Sequence, residues 1–343
     1  MSTSPTSPAR PTGAERPKPL ASLSLDADNL WSYQKTHGDA GWDHYASYLD
    51  VLAPRVLDFL AARDLTITFF VVGKDASLAE NRDALASLAA AGHEIGNHSF
   101  RHEPWLHLYE RQELADELAR AEEAIAEATG AQTVGFRGPG YSLSTSTLEV
   151  LVERGYRYDA STLPTVIGPL ARAYYFRAAR LTEEQIAERS ELFGTWSDGL
   201  RSIRPYRWQV GDRLLTELPV TTLPLGRVPI HVSYLLYLAE VRPALARAYF
   251  STALRLCRLR RVEPSILLHP LDFLGADDVA ELAFFPAMGM AGALKTELVG
   301  QFVDQLRAQF EVVTMGDHVD DIERRGGLDV LTPRFATETA PVA

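Results

Sequence analysis

Cysteine is almost missing from this chain: Cys257 is the single one in 343 residues. That excludes an intramolecular disulfide and any cysteine-based zinc site. A reducing compartment is compatible with such usage. Long apolar runs are missing too. The most apolar segment, Val232 to Ala239, stops at Glu240 and is far shorter than the ~18 residues a membrane span needs. Positive charge is also scarce, with 34 Lys and Arg against 45 Asp and Glu and a net charge of −11. A nucleic-acid partner would call for a basic face, so none is expected. The first 19 residues hold five prolines and no hydrophobic stretch. They read as a disordered tail rather than a secretory signal, which makes a cytoplasmic location the expectation.

What is present is the balance of an ordinary globular protein, 46% hydrophobic and 23% charged. From Leu20 onward, apolar runs alternate with segments of helical period. Strands are expected at 20–25, 65–72, 93–98, 133–137 and 156–159. Helices are expected at 43–63, 76–91, 110–129 and 144–154, with Pro54 kinking the first or starting a second. The alternation breaks between about 163 and 262, where a helix at 182–191, a strand at 215–221 and a helical run at 231–259 are expected. It resumes with a strand at 265–269, a helix at 291–310 and a strand at 311–315. Regular strand–helix alternation predicts a parallel α/β fold whose sites lie at the C-terminal ends of the strands. The expected layout is a disordered tail at 1–19, one barrel domain at 20–330 with an insertion at about 163–262, and a loose tail at 331–343.

Four polar groups sit at expected strand ends. Asp26 and Asp28 follow the first strand, and alternate residues share a face. His98 and His102 follow the third, at a spacing that lets two imidazoles meet one metal. Arg137 precedes Gly138-Pro-Gly140, and His269 precedes Pro270-Leu-Asp272. Each has a plainer explanation: a solvated Asp-x-Asp loop, a hydrogen-bonded core histidine, a salt-bridge arginine. The histidine pair is not the zinc-protease helix motif, because Ser99-Phe-Arg101 lies between and no Glu follows His98. If a metal sits on the two histidines, a general base must come from elsewhere, and Asp26 is available.

In order and residue type, Leu25-Asp-Ala-Asp28, His98-Ser-Phe-Arg-His102, Arg137-Gly-Pro-Gly140 and Leu268-His-Pro270 resemble the motifs of the polysaccharide deacetylase family, carbohydrate esterase family 4 or NodB-homology domain. The resemblance covers about 21–159 and 264–322. It implies a distorted (β/α)7 barrel with a long insertion before the last strands, and a divalent metal, usually Zn2+. It implies Asp28, His98 and His102 as metal ligands, Asp26 as general base, Arg137 as its positioner and His269 as general acid. The Gly140 N–H would help bind the oxyanion, with Pro139 and Tyr141 beside the substrate. For the family's acid-tuning aspartate, Asp159 is the first choice and Asp198 the second.

Two departures stand out: Ala27 separates the aspartates, and Gly140 takes the place of an aromatic. The first is similar to a branch that includes cyclic-amide hydrolases. The reaction implied is metal-dependent hydrolysis of a non-peptide carbon–nitrogen amide bond, foremost N-deacetylation of an amino sugar or glycan precursor. Alternatives are hydrolysis of a small cyclic or linear amide, and a non-catalytic carbohydrate-binding protein. The 163–262 segment is read as a cap or homo-oligomer interface, or else as a lid. Its aromatic face, with Tyr234, Tyr237, Tyr249 and Phe250, and its basic end at Arg255 to Arg261 would also suit peripheral membrane contact, the less favoured reading. His93 is read as structural. His37, His44, His107, Trp31, Trp42 and Trp105 are candidates for the pocket rim.

Overall fold

A computed structural model of the chain describes residues 18–167 and 198–335. Its first strand, β1 (Leu20–Ala27), explains much of the rest. Ala21, Leu23, Leu25 and Ala27 point to one face and join the main apolar core, while Ser22, Ser24 and Asp26 point to the other. Both faces are buried, so the strand is covered by helices on one side and lines a partly polar interior on the other. The further strands are β2 (Thr68–Val71), β3 (Glu94–Asn97), β4 (Gly135–Phe136), β5 (Tyr158–Asp159), β6 (Tyr206–Val210), β7 (Arg213–Glu217), β8 (Ser265–Leu268), β9 (Glu311–Val313) and β10 (Val330–Leu331).

Pairing runs β8-β1-β2-β3-β4-β5-β7, parallel throughout. The chain beyond β7 then reaches β8: Thr221 N–H donates to the Ser265 carbonyl at 3.0 Å and Ser265 N–H to Thr221 Oγ1 at 2.8 Å. This closes a distorted seven-stranded barrel of the expected (β/α)7 type. β6 stands outside the ring as the antiparallel partner of β7, β10 pairs with β6, and β9 pairs with the start of β1. Gly135 is needed inside the ring, because a Cβ there would meet the Tyr158 ring at 2.1 Å.

Helices Leu49–Ala61, Arg82–Ala90, Arg111–Thr129, Thr145–Glu153, Pro243–Arg260 and Gly292–Gln309 form the outer layer. Local chemistry sets their ends. Ser144 Oγ accepts from Thr147 N–H, Glu110 and Glu113 form a capping box, and Gly130 at φ +71° stops its helix. The helix Met315–Arg325 does a different job, plugging the N-terminal mouth of the barrel. Its Met315, Val319 and Ile322 pack on Phe70 and Tyr158, His318 bonds to Ser22, and Gly316 N–H donates to Glu94 at 2.9 Å.

Several boundaries differ from the sequence reading. The stretch expected as one helix over 43–63 is a short 3-10 turn, Trp42–His44, followed by a helix from Leu49 that runs through Pro54. Pro54 cannot bond to the carbonyl of Asp50, which sits on the exposed side where water can serve it. The stretch at 76–91 divides at Leu78, and the run at 231–259 divides at Arg242, where Pro243 starts a new helix. The strand β6 and the plug helix were not anticipated. Order also continues past the expected boundary at 331: Leu331 pairs with Trp208, and Phe335 packs against the Trp208 ring. The helix expected at 182–191 lies outside the described residues. Among the described residues no helix is long and apolar enough to cross a membrane. Phe250 is fully buried, so its part of the aromatic face is core.

Candidate functional site

Asp26 is the last inward residue of β1, and its backbone alternation aims the carboxylate into the barrel. Arg137, directly after β4 and 0% exposed, reaches across to it. One guanidinium nitrogen donates to Asp26 Oδ1 at 2.6 Å and to Ser24 Oγ at 2.9 Å. Nε donates to the Ala160 carbonyl at 3.1 Å, another nitrogen contacts Met315 Sδ at 3.4 Å, and the group lies over the Phe70 ring. The arginine therefore has most of its donors matched, as a fully buried cation must. The other oxygen of Asp26, Oδ2, lies 3.9 Å from His98 Nε2.

His98 follows β3, and its Nδ1 donates to the Arg137 carbonyl at 2.6 Å. That leaves Nε2 as the lone-pair nitrogen, 3.3 Å from Asp28 Oδ1. His102 Nε2 lies 3.0 Å from the same oxygen. Burial alone would push the Asp28 carboxyl up, yet the His102 and His98 imidazoles hold it well below the usual range. Burial likewise opposes a charged His98, and the Asp26 and Asp28 carboxylates overcome it and raise that imidazole. Asp28 Oδ1 and His102 Nδ1 are buried without a hydrogen-bond partner.

The loop that bends His102 back toward His98 depends on residues the sequence reading passed over. Ser99 and His102 both have left-handed backbone, at φ +62° and +52°, unfavourable for non-glycine residues. Side chains compensate the loop's N–H groups: Asn97 accepts from Ser99, Ser99 from His102, and buried Glu117 from Phe100 and Arg101. Tyr48 donates its hydroxyl to the Asp28 carbonyl at 2.9 Å and so fixes the first aspartate loop from the other side.

Pro139–Tyr141 form a 3-10 turn with Gly140 at φ +59° and Tyr141 at φ +65°. The turn is closed by N–H groups of Tyr141 and Ser142, on the Gly138 and Pro139 carbonyls. Gly140 N–H takes no part in that closure. Burial and then the Asp26 charge push the Tyr141 hydroxyl far up.

His269 follows β8. Its Nδ1 meets Ser233 Oγ at 3.1 Å, its N–H donates to Asp272 Oδ2 at 2.8 Å, and its ring centre lies 5.6 Å from that of His231.

Asp159 requires a correction as the aspartate that tunes His269. It bonds to the N–H and hydroxyl of Ser161 and faces Glu217, its register partner across β5 and β7. The carboxyl brought to His269 is that of Asp272, three residues on. Asp198, the second choice, stands at the edge of the described residues. Burial pushes Asp159 and Glu217 up, and the Asp159 charge and hydrogen bond push Glu217 further. The folded protein thus keeps a proton that an unfolded glutamate would release near pH 4.5. The contribution of Glu217 is full below that value and is lost as pH rises through its raised range. We expect the melting temperature of wild type to fall more steeply than that of Glu217→Gln as pH rises above about 4.5, as calorimetry would register.

Among the proposed rim residues, Trp31 is buried with its Nε1 on Asp75, and Lys35 lies over the half-buried Trp42 ring at 4.9 Å. His37 stacks on Phe284 and pairs with Asp39, His107 bonds to Ser142, and His44 is exposed. His93 is structural, accepting from Ile67 N–H and packing edge-on against Phe69.

Residues 39–158 match the family model for polysaccharide deacetylase. A peptidoglycan deacetylase of Helicobacter pylori is 30% identical over 128 residues, which are 37% of this chain and 41% of that protein. A peptidoglycan deacetylase-like protein of Gibberella zeae is 25% identical over 193 residues, 54% of each chain. The chain thus spans about half the length, or less, of these curated relatives. A crystal structure named as a polysaccharide deacetylase from Mycobacterium smegmatis shares the fold, with TM-score 0.62 and 22% identity over 96% of this chain and 99% of that one. The motif order, the barrel and the match over 39–158 agree, and that part of the chain resembles the polysaccharide deacetylase family.

Proposed function

We propose that this protein is a metal-dependent amidohydrolase that removes the N-acetyl group from an amino sugar of a glycan or glycan precursor. The observation that carries the reading is the buried Asp28–His98–His102 cluster, whose ligand atoms lie within 4.8 Å of one another, set beside the Asp26–Arg137 pair. The donor set fits a divalent cation: one carboxylate oxygen without a hydrogen-bond partner and two imidazole Nε2 atoms turned toward it. Asp28, His98 and His102 would hold the ion, and two nitrogens with one oxygen suit zinc. Bound there, such an ion supplies a Lewis acid that makes water a usable nucleophile near neutral pH.

The chain's own groups supply the remainder. Arg137 fixes Asp26 through Oδ1 and leaves Oδ2 on the side of the histidines, where it can take the proton of an attacking water. Gly140 N–H can donate to the oxygen that becomes negative as the carbonyl carbon is attacked. His269, as an imidazolium, gives its Nε2 proton to the departing nitrogen. The C–N bond breaks as the new C–O bond is kept, and the products are acetate and the free amine. Half-buried Tyr141 shields the Asp26 side from bulk water.

Metal content and acetate release, measured on the same samples, test this. Wild type is expected to bind a near-stoichiometric divalent ion and to release acetate from at least one N-acetylated sugar. Asp28→Ala and His98→Ala should lose both. Bound metal with no acetate from any sugar would redirect the reading to another amide, which the Asp-Ala-Asp spacing also suits. Failure of the wild type to bind zinc would remove the hydrolase mechanism and favour a carbohydrate-binding protein.

A further inference from the structure

The two loops that carry Asp28 and the His98–His102 pair are both tied to a turn that bears no ligand. That turn, Gly73–Ala76, follows β2. Its backbone serves the histidine loop: Gly73 N–H donates to the Ser99 carbonyl at 2.8 Å and Lys74 N–H to the Phe100 carbonyl at 2.9 Å. Glycine is required at its start, since a Cβ there would meet Ala121 Cα at 2.6 Å and the Phe100 ring at 2.8 Å.

The side chain of Asp75 serves the aspartate loop. Its Oδ1 accepts from Asn29 Nδ2 at 2.7 Å and Trp31 Nε1 at 2.9 Å, and from Asn81 Nδ2 at 3.3 Å. Asn29 follows Asp28 directly, and its own oxygen accepts from Leu30 N–H at 2.8 Å and Tyr48 N–H at 3.1 Å. Tyr48 is the residue whose hydroxyl holds the Asp28 carbonyl. Asp28 is thus gripped by its neighbour Asn29 and by Tyr48, and both grips lead back to Asp75.

We propose that Asp75 is a positioning residue for the metal site. Through Asn29 it fixes the Asp28 loop to the turn that also holds the histidine loop, and so sets the carboxylate at its distance from the imidazoles. The proposal rests on the reading of Asp28, His98 and His102 as metal ligands. Such ligands must stand within about 0.2 Å of their preferred distances. The histidine loop does not hold itself, because Ser99 and His102 have left-handed backbone.

The cost of keeping Asp75 supports this role. Its carboxyl is fully buried, and burial pushes it up to about 7 against the opposing hydrogen bonds of Asn29 and Trp31. Oδ2 is buried without a hydrogen-bond partner, so the tie runs through Oδ1. Lys35 links the same two loops again, on the Arg101 carbonyl and on Glu103. Loss of Asp75 should therefore loosen the site without abolishing it.

The test is the zinc affinity of the full-length chain, measured by competition with a chelator, with melting curves on the same samples. Asp75→Ala should raise the Kd for zinc by about 10- to 100-fold. Asp75→Asn should stay close to wild type, because the amide keeps an oxygen for Asn29 and Trp31 and puts its nitrogen where Oδ2 has no partner. Asn29→Ala should show the loss seen in Asp75→Ala, and the double variant should add little to either. Leu151→Ala, in a separate apolar cluster, is the control: it should lower the melting temperature and leave zinc affinity unchanged. A zinc affinity in Asp75→Ala no weaker than in Leu151→Ala overturns the proposal and leaves the proposed function standing. Unchanged affinity in Asn29→Ala also overturns it, and decides the matter if Asp75→Ala does not fold. A wild type that binds no zinc overturns the proposed function, and this inference with it.

Discussion

Arg137→Met should cost about 3–5 kcal/mol of stability, the usual penalty for breaking a buried ion pair from one side. In a chain of this size that is a fall of roughly 5–10 °C in melting temperature. The guanidinium lies wholly inside the barrel and touches groups from β1, from the chain after β5 and from the plug helix. Methionine fills part of the volume but leaves the Asp26 carboxylate and the Ala160 carbonyl without their donor. Activity should fall with stability, because Asp26 loses the contact that orients it. Lysine would not repair the site, since a single ammonium cannot span Ala160, Asp26 and Met315 at once. A double-mutant cycle checks the cause. Asp26→Asn should cost clearly less on the Arg137→Met background than on wild type, by calorimetry or urea unfolding. Equal costs on both backgrounds would mean that the pair is not the source of the loss.

Asp26→Asn should lower kcat by about 10²- to 10⁴-fold, the range expected for loss of a positioned general base, while the bound metal is retained. The substitution keeps the shape of the side chain and an oxygen for Arg137 to bond. Asp28→Ala, two residues away, should lose the metal itself. The two aspartates share a strand end and both are nearly buried, at 4% and 7% exposure, so burial does not tell them apart. Their partners do: Asp26 Oδ1 is spent on an arginine, whereas Asp28 Oδ1 is unpartnered between two imidazoles. Metal analysis beside steady-state kinetics separates the roles. Loss of metal in Asp26→Asn would move Asp26 from base to ligand.

The parts of this site that follow from short-range patterning were legible in the sequence. Alternation along β1 aims Asp26 inward, and the strand ends were near enough to place His98, Arg137 and His269 around one mouth. Residues joined only by the fold were not legible. Asp159 has the right residue type at the end of a strand, but the strand pairing puts Glu217 beside it, and that register comes from a hairpin the sequence reading did not contain. Ser233 lies 36 residues before His269, and no local pattern links them. Asp272 was accessible in principle, because His269-Pro-Leu-Asp272 has the spacing of a capping turn, in which a carboxylate reaches back to an N–H. The plug helix was missed for another reason. Its apolar residues Met315, Val319 and Ile322 occupy one narrow stripe in an otherwise charged segment, so the run resembles a solvated helix until the barrel mouth it fills is known.

That plug joins distant parts of the chain, touching both the buried arginine and the first strand. Met315 meets Arg137 from 178 residues downstream, and His318 meets Ser22 across 296 residues. Contacts of such sequence separation form late and slow folding. A ribosome makes the first strand well before the plug helix, and that strand's inner face cannot close until the plug has emerged. A nascent chain of this protein therefore completes its polar interior only after the plug helix has been made.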